Sequence, residues 1–282
     1  MDINARTAPG GGAKNAAGYL MESDDEARRL DLKTDPDAVK RQACWAGVRP
    51  GLRVADLGCG SGLTSFLLNE MVQPAGEVVG VDNAAQRIAY ARANYTAAGL
   101  AFVEDDVRGD LAHMGSFDLV WVRFVLEYYR RTGFDIVRNV ARLLKPGGIL
   151  CLIDLDYNCL SHHGIPDRLE AAIRTIQEQL AEKADFDAYA GRKLYAHLYD
   201  LGYADIDVHM EPHHLIFGRL KTSDAFNWTK KVEAGMRLGD DAFKAYDGGR
   251  AEFFLEFQKA FAHPRRFTYT PVICCRGRKP PY

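Results

Sequence analysis

A strand, a tight glycine turn and a helix are predicted between Leu52 and Met71, and this unit constrains the fold more than any other part of the chain. Residues 54–62 read VADLGCGSG, and an amphipathic stretch follows from Leu63. The glycines let the backbone turn sharply and come close to a ligand without a Cβ in the way. We therefore expect backbone N–H groups at the start of the helix to face a ligand.

The spacing of these glycines separates two classes of cofactor. A dinucleotide fold uses G-x-G-x-x-G, in which the third glycine lets the helix pack closely on the strand. Here the pattern is G-x-G-x-G, and Leu63 and Thr64 follow without a further glycine. Asp56 lies two residues before the first glycine, where it would repel a pyrophosphate but not an ammonium group. The pattern disfavours a nicotinamide dinucleotide.

Four more segments follow in order, and each reads as a strand with a polar residue near its end. They are 77–82 ending in Asp82, 102–107 with its acids, 117–123 ending in Arg123, and 144–154, where a helix end and a Pro-Gly-Gly turn lead into a strand ending in Asp154. Strands that alternate with helices predict a parallel sheet with right-handed crossovers. In such a sheet the ligand lies beyond the carboxyl ends of the strands.

The order and spacing of these pieces, from about residue 50 to 156, resemble the class I S-adenosylmethionine-dependent methyltransferases of the small-molecule type. The resemblance implies an α/β fold: a Rossmann-like, seven-stranded, mostly parallel sheet with helices on both faces and helical cap insertions. The last strand, near 267–275, would run antiparallel beside the sixth. S-adenosyl-L-methionine would be the cofactor and S-adenosyl-L-homocysteine the product.

The same resemblance implies which residues bind the cofactor. The turn at Gly58, Cys59 and Gly60 would contact the methionine part, with Asp56 facing its ammonium directly or through water. Asp82 at the end of the second strand would accept both ribose hydroxyls, although an N-cap role is also compatible with it. Asp106 and Val107 would contact the adenine, although the neighbouring acids Glu104 and Asp105 leave this assignment open by one residue. The remaining residues assigned to the cofactor site are Asn83, Arg87, Arg123, Tyr19, Met21 and Arg29.

Two of these assignments have plain structural alternatives. Arg123 could be a surface side chain, and the segment with Tyr19, Met21 and Arg29 could be a packed helix rather than a cover over the cofactor. The domain organisation we predict is a disordered N-terminus at 1–17, N-terminal helices at 18–48, a cofactor-binding core at 49–156, and the rest of the sheet at 157–282. Cap insertions at 157–186 and 221–262 would cover an acceptor pocket.

Asp154 and His162 follow strand five and are the candidate bases or acceptor-orienting groups. A base is needed only if the nucleophile keeps its proton, because methyl transfer depends mainly on alignment. Asp154, Asp156 and Asn158 are also metal-ligand types, but Arg123 stands where a further acid would be required. We therefore predict no metal.

Composition limits the partners. The 282 residues carry a net charge of −2, which provides no basic field for nucleic acid. The six cysteines form no C-x-x-C pair, and no apolar run approaches the length of a membrane span. We expect a cytoplasmic protein that binds neither nucleic acid nor membrane, with a homo-oligomer left open.

The implied function is methyl transfer to a small-molecule acceptor of specialised metabolism. The sequence RFVL at 123–126 replaces the D/N-P-P-Y pattern of amino-nucleobase and amide methyltransferases, which disfavours those substrates. Three alternatives stay open: a nicotinamide-dependent oxidoreductase, a methyltransferase acting on protein or RNA, and a cofactor-binding module without transfer chemistry. A titration with both cofactors separates the first from the methyltransferase.

Overall fold

The computed structural model describes residues 26–281. The predictions for 1–17, Tyr19 and Met21 lie outside the described residues. The strands are β1 (Arg53–Leu57), β2 (Glu77–Asp82), β3 (Leu100–Glu104), β4 (Phe117–Arg123), β5 (Leu144–Leu155), β6 (His162–His163), β7 (Ala204–Phe217) and β8 (Phe267–Arg278). The helices are α1 (Glu26–Lys33), α2 (Pro36–Ala46), α3 (Leu63–Val72), α4 (Ala85–Asn94), α5 (Gly133–Val140), α6 (Asp167–Lys183), α7 (Leu194–Asp200), α8 (Thr222–Met236) and α9 (Gly249–Ala262).

One sheet contains all of these strands, in the order β3-β2-β1-β4-β5-β8-β6, with β7 paired to the other side of β8. The neighbours from β3 to β5 are parallel, whereas β8 is antiparallel to both β5 and β7. The predicted fold class and the antiparallel last strand are confirmed. The strand order reverses between β1 and β4, so the carboxyl ends of these two strands open a crevice for a ligand.

Helices cover both faces of the sheet because successive strand residues point to opposite sides. On one face, Val120 and Leu150 pack with side chains of α5 and α7. On the other, Trp121 and Cys151 pack with α2 and α3. Asp35 caps α2 as predicted, since its carboxylate accepts the backbone N–H of Asp37 at 3.0 Å.

The cap is built from α6, α8 and α9, which share an aromatic core of their own. Five aromatic side chains are buried in this cluster: Phe243, Tyr246, Phe253, Phe257 and Phe261. Core packing is therefore their main role. No helix within residues 26–281 has the length and apolar character needed to cross a bilayer.

Two predicted elements differ from the structure. The sequence at 187–201 reads as one helix, but the structure shortens it to α7, because the Asp187 carboxylate accepts the backbone N–H of Tyr189 at 3.1 Å and turns the chain before the helix begins. The alternating sequence at 203–208 reads as a strand, and in the structure this strand continues to Phe217. Its second half escaped prediction because Pro212 and a register shift at Pro212/His214 break the alternation.

Candidate active site

The glycine turn between β1 and α3 is held against β2 by its own backbone. The N–H groups of Gly58 and Cys59 both donate to the carbonyl oxygen of Val81, at 2.7 and 2.9 Å. The N–H of Gly60 donates to Asp82 Oδ2 at 2.9 Å. These three N–H groups therefore donate to acceptors within the protein. The expectation that backbone N–H groups here face a ligand is wrong for these three.

Gly58 shows why the turn requires glycine. Its φ is +79°, in the left-handed region. A Cβ built there would lie 2.3 Å from Val125 Cγ2, on the loop after β4. The glycine thus brings the turn into direct contact with the loop that forms the opposite wall of the crevice.

Asp56 supports this turn from behind. Its side chain is buried and accepts a hydrogen bond from Ser65 Oγ at 2.6 Å, and it is not among the residues that line the crevice. Burial is the main reason that the pKa of Asp56 is raised to about 7. The direct contact expected between this carboxylate and the cofactor's ammonium would require Asp56 to reach the crevice wall, which it does not line.

The raised pKa of Asp56 makes folding stability depend on pH. The folded state holds the proton more tightly than the unfolded chain, so this group's contribution to the free energy of unfolding is lost as pH rises from about 4 to 7. We expect Asp56→Asn to be more stable than the wild type above pH 7, by up to about 4 kcal/mol. The stability difference should shrink towards pH 4 in denaturant titrations. A difference that does not change with pH would contradict a buried, titrating Asp56.

Asp82 ends β2 on the crevice wall, together with Asn83 and Arg87. Its carboxylate accepts hydrogen bonds from the N–H groups of Gly60 and Ala84 and from Arg87 Nε, at 2.9, 3.0 and 3.0 Å. A carboxylate has about four lone-pair directions. Three are occupied here, so a ligand that uses both oxygens must take the place of the Arg87 guanidinium.

The segment after β3 shows which of its acidic side chains lines the crevice. Asp105, Val107 and Arg108 line the crevice. The Asp106 carboxylate is instead held by Arg108, which donates to Oδ1 through its backbone N–H and its Nε, both at 2.9 Å. The hydrogen bond from Arg108 lowers the pKa of Asp106. The acid on the wall is therefore Asp105, one residue before the predicted Asp106.

Arg123 lines the crevice at the end of β4, and the alternative of a surface side chain is wrong. Its Nε donates to Gln42 Oε1 on α2 at 3.0 Å, and its guanidinium lies 4.1 Å from the ring centroid of Phe124. Burial lowers the pKa of Arg123 to about 10. Arg29, on α1, forms an ion pair with Glu26 and lines the neighbouring cavity rather than the crevice.

The crevice has a volume of about 740 Å³. It runs from the glycine turn past Asp82 and Arg123 to the loop after β4. A second cavity, of about 70 Å³, lies beneath the cap. Lys33, Glu127 and Tyr128 line both spaces. They form a junction, which we call the neck, between the crevice and the cap cavity.

The two predicted catalytic residues have different positions. Asp154 is fully buried and accepts the N–H groups of Glu127 and Leu155, at 3.1 and 2.8 Å, and it lines neither the crevice nor the cap cavity. Burial and the neighbouring Glu127 raise its pKa well above the ordinary range. Asp154 therefore anchors the loop that carries Glu127.

His162 does line the cap cavity. Its Nδ1 lies 2.9 Å from Thr268 Oγ1, and burial lowers the pKa of the ring to about 4, so the imidazole is neutral at pH 7. Within residues 26–281 no three His, Cys, Asp or Glu side chains are arranged to hold a metal ion.

Glu127 is buried in the neck, where Asn158 Nδ2 donates to its Oε2 at 2.9 Å. Burial raises the pKa of this carboxyl. The cap cavity beside Glu127 is also lined by residues from distant parts of the chain: Lys33 of α1, and Trp228 and Lys231 of α8. Motif reasoning singled out none of these three, because no local pattern marks them.

Comparisons with known proteins agree with this architecture. Residues 54–148 match a family model described as "Methyltransferase domain". Among curated proteins, 2-phytyl-1,4-naphtoquinone methyltransferase of Synechococcus elongatus is 35% identical over 120 residues, covering 41% of this chain and 52% of the relative. The chain spans about half the length of the curated relatives it matches first.

Solved structures share the fold at low identity. A putative methyltransferase from Bacillus halodurans superposes with a TM-score of 0.57 at 16% identity, covering 86% of this chain and 99% of that one. The [4+2]-cyclase SpnF superposes with a TM-score of 0.51 at 18% identity, covering 87% and 80%.

The sheet order, the glycine turn and the acid that ends β2 define a Rossmann-like, class I methyltransferase fold. Solved structures with this fold are methyltransferases among others, and residues 54–148 match the methyltransferase-domain model.

Proposed function

We propose that this protein transfers a methyl group from S-adenosylmethionine to a small, largely apolar acceptor held under the cap. The observation that carries the proposal is the neck: Lys33, Glu127 and Tyr128 line both the crevice and the cap cavity. A cofactor in the crevice and an acceptor in the cavity would therefore meet there. The quinone substrate named for the Synechococcus relative is of the same apolar kind.

The residues of the crevice fit the cofactor. The volume of about 740 Å³ is in the range of cofactor sites. Asp82 offers a carboxylate for the ribose hydroxyls once Arg87 moves aside, and Asp105 and Val107 line the adenine side. Arg123 supplies a cation for the methionine carboxylate. In this arrangement the glycine turn would face the methionine end of the cofactor.

When bound, S-adenosylmethionine supplies a methyl group activated by its sulfonium. The protein's task is then alignment and exclusion of water, together with removal of a proton where the attacking atom of the acceptor keeps one. The cap helices α6, α8 and α9 supply most of the apolar side chains that line the cavity. Glu127 is the candidate base, because it is the only carboxylate among the described residues that lines both spaces. A raised pKa brings a carboxylate closer to the range in which a general base works best.

Cofactor binding is the first test. We expect calorimetry to detect S-adenosylmethionine and S-adenosylhomocysteine in the micromolar range, which corresponds to about −7 to −8 kcal/mol. Asp82→Ala should weaken that affinity by about 1–3 kcal/mol, since the ribose loses a charged acceptor. Glu104→Ala, an exposed acid at the end of the neighbouring strand β3, is the matched control. Unchanged affinity in Asp82→Ala, or tighter binding of NAD, would overturn the assignment.

The reaction itself needs a direct test, because the same fold occurs in a [4+2]-cyclase. We expect incubation with a methyl-deuterated cofactor and a panel of apolar metabolites to yield products heavier by one labelled methyl group. Consumption of an acceptor without this mass increase would argue for a different reaction on the same fold.

A further inference from the structure

The neck and the adjoining part of the cap cavity together carry more positive charge than the described residues neutralise. Lys33 lines it from α1, and Lys231 lines the cap cavity from α8. Lys231 Nζ donates to Asn158 Oδ1 at 3.3 Å, and the same amide donates to Glu127 Oε2 at 2.9 Å. Within residues 26–281, neither ammonium forms an ion pair with a carboxylate at 4.0 Å or less.

The balance of charge favours one additional anion. Two ammonium groups and one carboxylate, Glu127, leave a net charge of +1 when all three are ionised. Burial, and next the charge of Lys231, lowers the pKa of Lys33 to about 8, as expected for a cation without a counter-ion. Cations withdrawn from water are costly unless a charged partner is present.

The rest of the cap cavity is largely apolar, and three polar side chains that line it, Gln177, Trp228 and His162, each have a buried atom with no hydrogen-bond partner among the described residues. Ile173, Phe253 and Phe257 supply hydrocarbon walls. Trp228 and His162 also line it, and within the described part of the chain Trp228 Nε1 and His162 Nε2 have no hydrogen-bond partner. An indole nitrogen can only donate. The complementary ligand has an apolar body and accepts hydrogen bonds through oxygen.

We propose that the acceptor carries a single oxyanion, a carboxylate or an ionised hydroxyl, on an otherwise apolar body, and that Lys33 and Lys231 bind this group at the neck. The inference rests on the proposed function, since it names the class of substrate for that site. Lys231 is the residue that tests it most cleanly, because it lines the cap cavity and not the crevice.

The test is a series of ligands of one shape and three charges, titrated calorimetrically into the full chain at pH 7: 2-naphthoate, 2-naphthamide and 2-naphthylmethylamine. We expect naphthoate to bind at least tenfold more tightly than the amide, and the cationic amine to bind most weakly. Lys231→Met should remove most of the naphthoate preference, and Lys231→Arg should keep it. Lys230→Met, an exposed neighbour paired with Glu233, is the matched control.

A fourth ligand distinguishes the two sources of the oxyanion. Tighter binding of naphthoate assigns a carboxylate, whereas tighter binding of 2-naphthol with proton release to the buffer assigns an ionised hydroxyl. The inference would be overturned if 2-naphthoate, 2-naphthol and 2-naphthamide bound equally or not detectably. It would also be overturned if the preference for naphthoate survived in Lys231→Met. Titration of the same variants with S-adenosylhomocysteine reports separately on the proposed function, because Lys231 does not line the crevice.

Discussion

Glu127→Gln is expected to lower methyl-transfer turnover by about 10²- to 10⁴-fold, the usual contribution of a general base. The amide keeps the shape of the side chain and an oxygen for the Asn158 hydrogen bond, but it cannot take a proton. Cofactor affinity should change little by comparison, because the glycine turn and Asp82 remain. Single-turnover rates with a labelled cofactor, beside calorimetry of the same variant, separate the two effects.

The pH profile sharpens this experiment. Glu127 acts as a base only when ionised, so the wild-type rate should rise with pH as the carboxyl, whose pKa is raised by burial, loses its proton. Glu127→Gln should remove that rise. Asp154→Asn is the companion variant, since Asp154 accepts the Glu127 N–H and lines neither space. A rise that disappears in Asp154→Asn but persists in Glu127→Gln would make Asp154 the base instead.

The parts of the site that lie close together in sequence could be predicted from sequence. The glycine turn and Asp82 belong to one strand–turn–helix–strand unit, whose periodicity and spacing fix where its residues lie. Asp105 shows the limit of such reasoning. A run of three acids at the end of β3 contains no signal for which carboxylate faces the crevice, and the choice depends on how Arg108 binds Asp106.

The acceptor side could not be predicted in the same way. Lys33, Glu127 and Lys231 come from three distant segments, and only the packing of α1 and α8 against the loop after β4 brings them together. Asp154 illustrates the opposite case. It was expected to follow strand five, but it lies inside β5, where full burial directs its carboxylate to backbone N–H groups and away from both spaces.

Gly58→Ala is expected to destabilise the fold and to abolish measurable cofactor binding. An L-residue at a φ of +79° costs about 1–2 kcal/mol. The new methyl would also lie 2.3 Å from Val125 Cγ2, and such overpacking adds about 1–3 kcal/mol. Relief of the clash must push the turn away from the loop after β4, and this movement changes the crevice where the methionine end would lie.

Gly51→Ala separates these two costs. Gly51 has a φ of +85°, yet a Cβ there would meet nothing within 4 Å. Both alanines bear the same backbone penalty, so the difference in their free energies of unfolding isolates the clash with Val125. Val125→Ala removes the side-chain carbon that comes closest and should restore much of the stability and cofactor affinity of Gly58→Ala. Denaturant titrations and cofactor calorimetry on the two single variants and the Gly58→Ala/Val125→Ala pair measure this coupling. If Gly58→Ala proves no more destabilising than Gly51→Ala, the close approach of turn and loop is not a requirement of the fold.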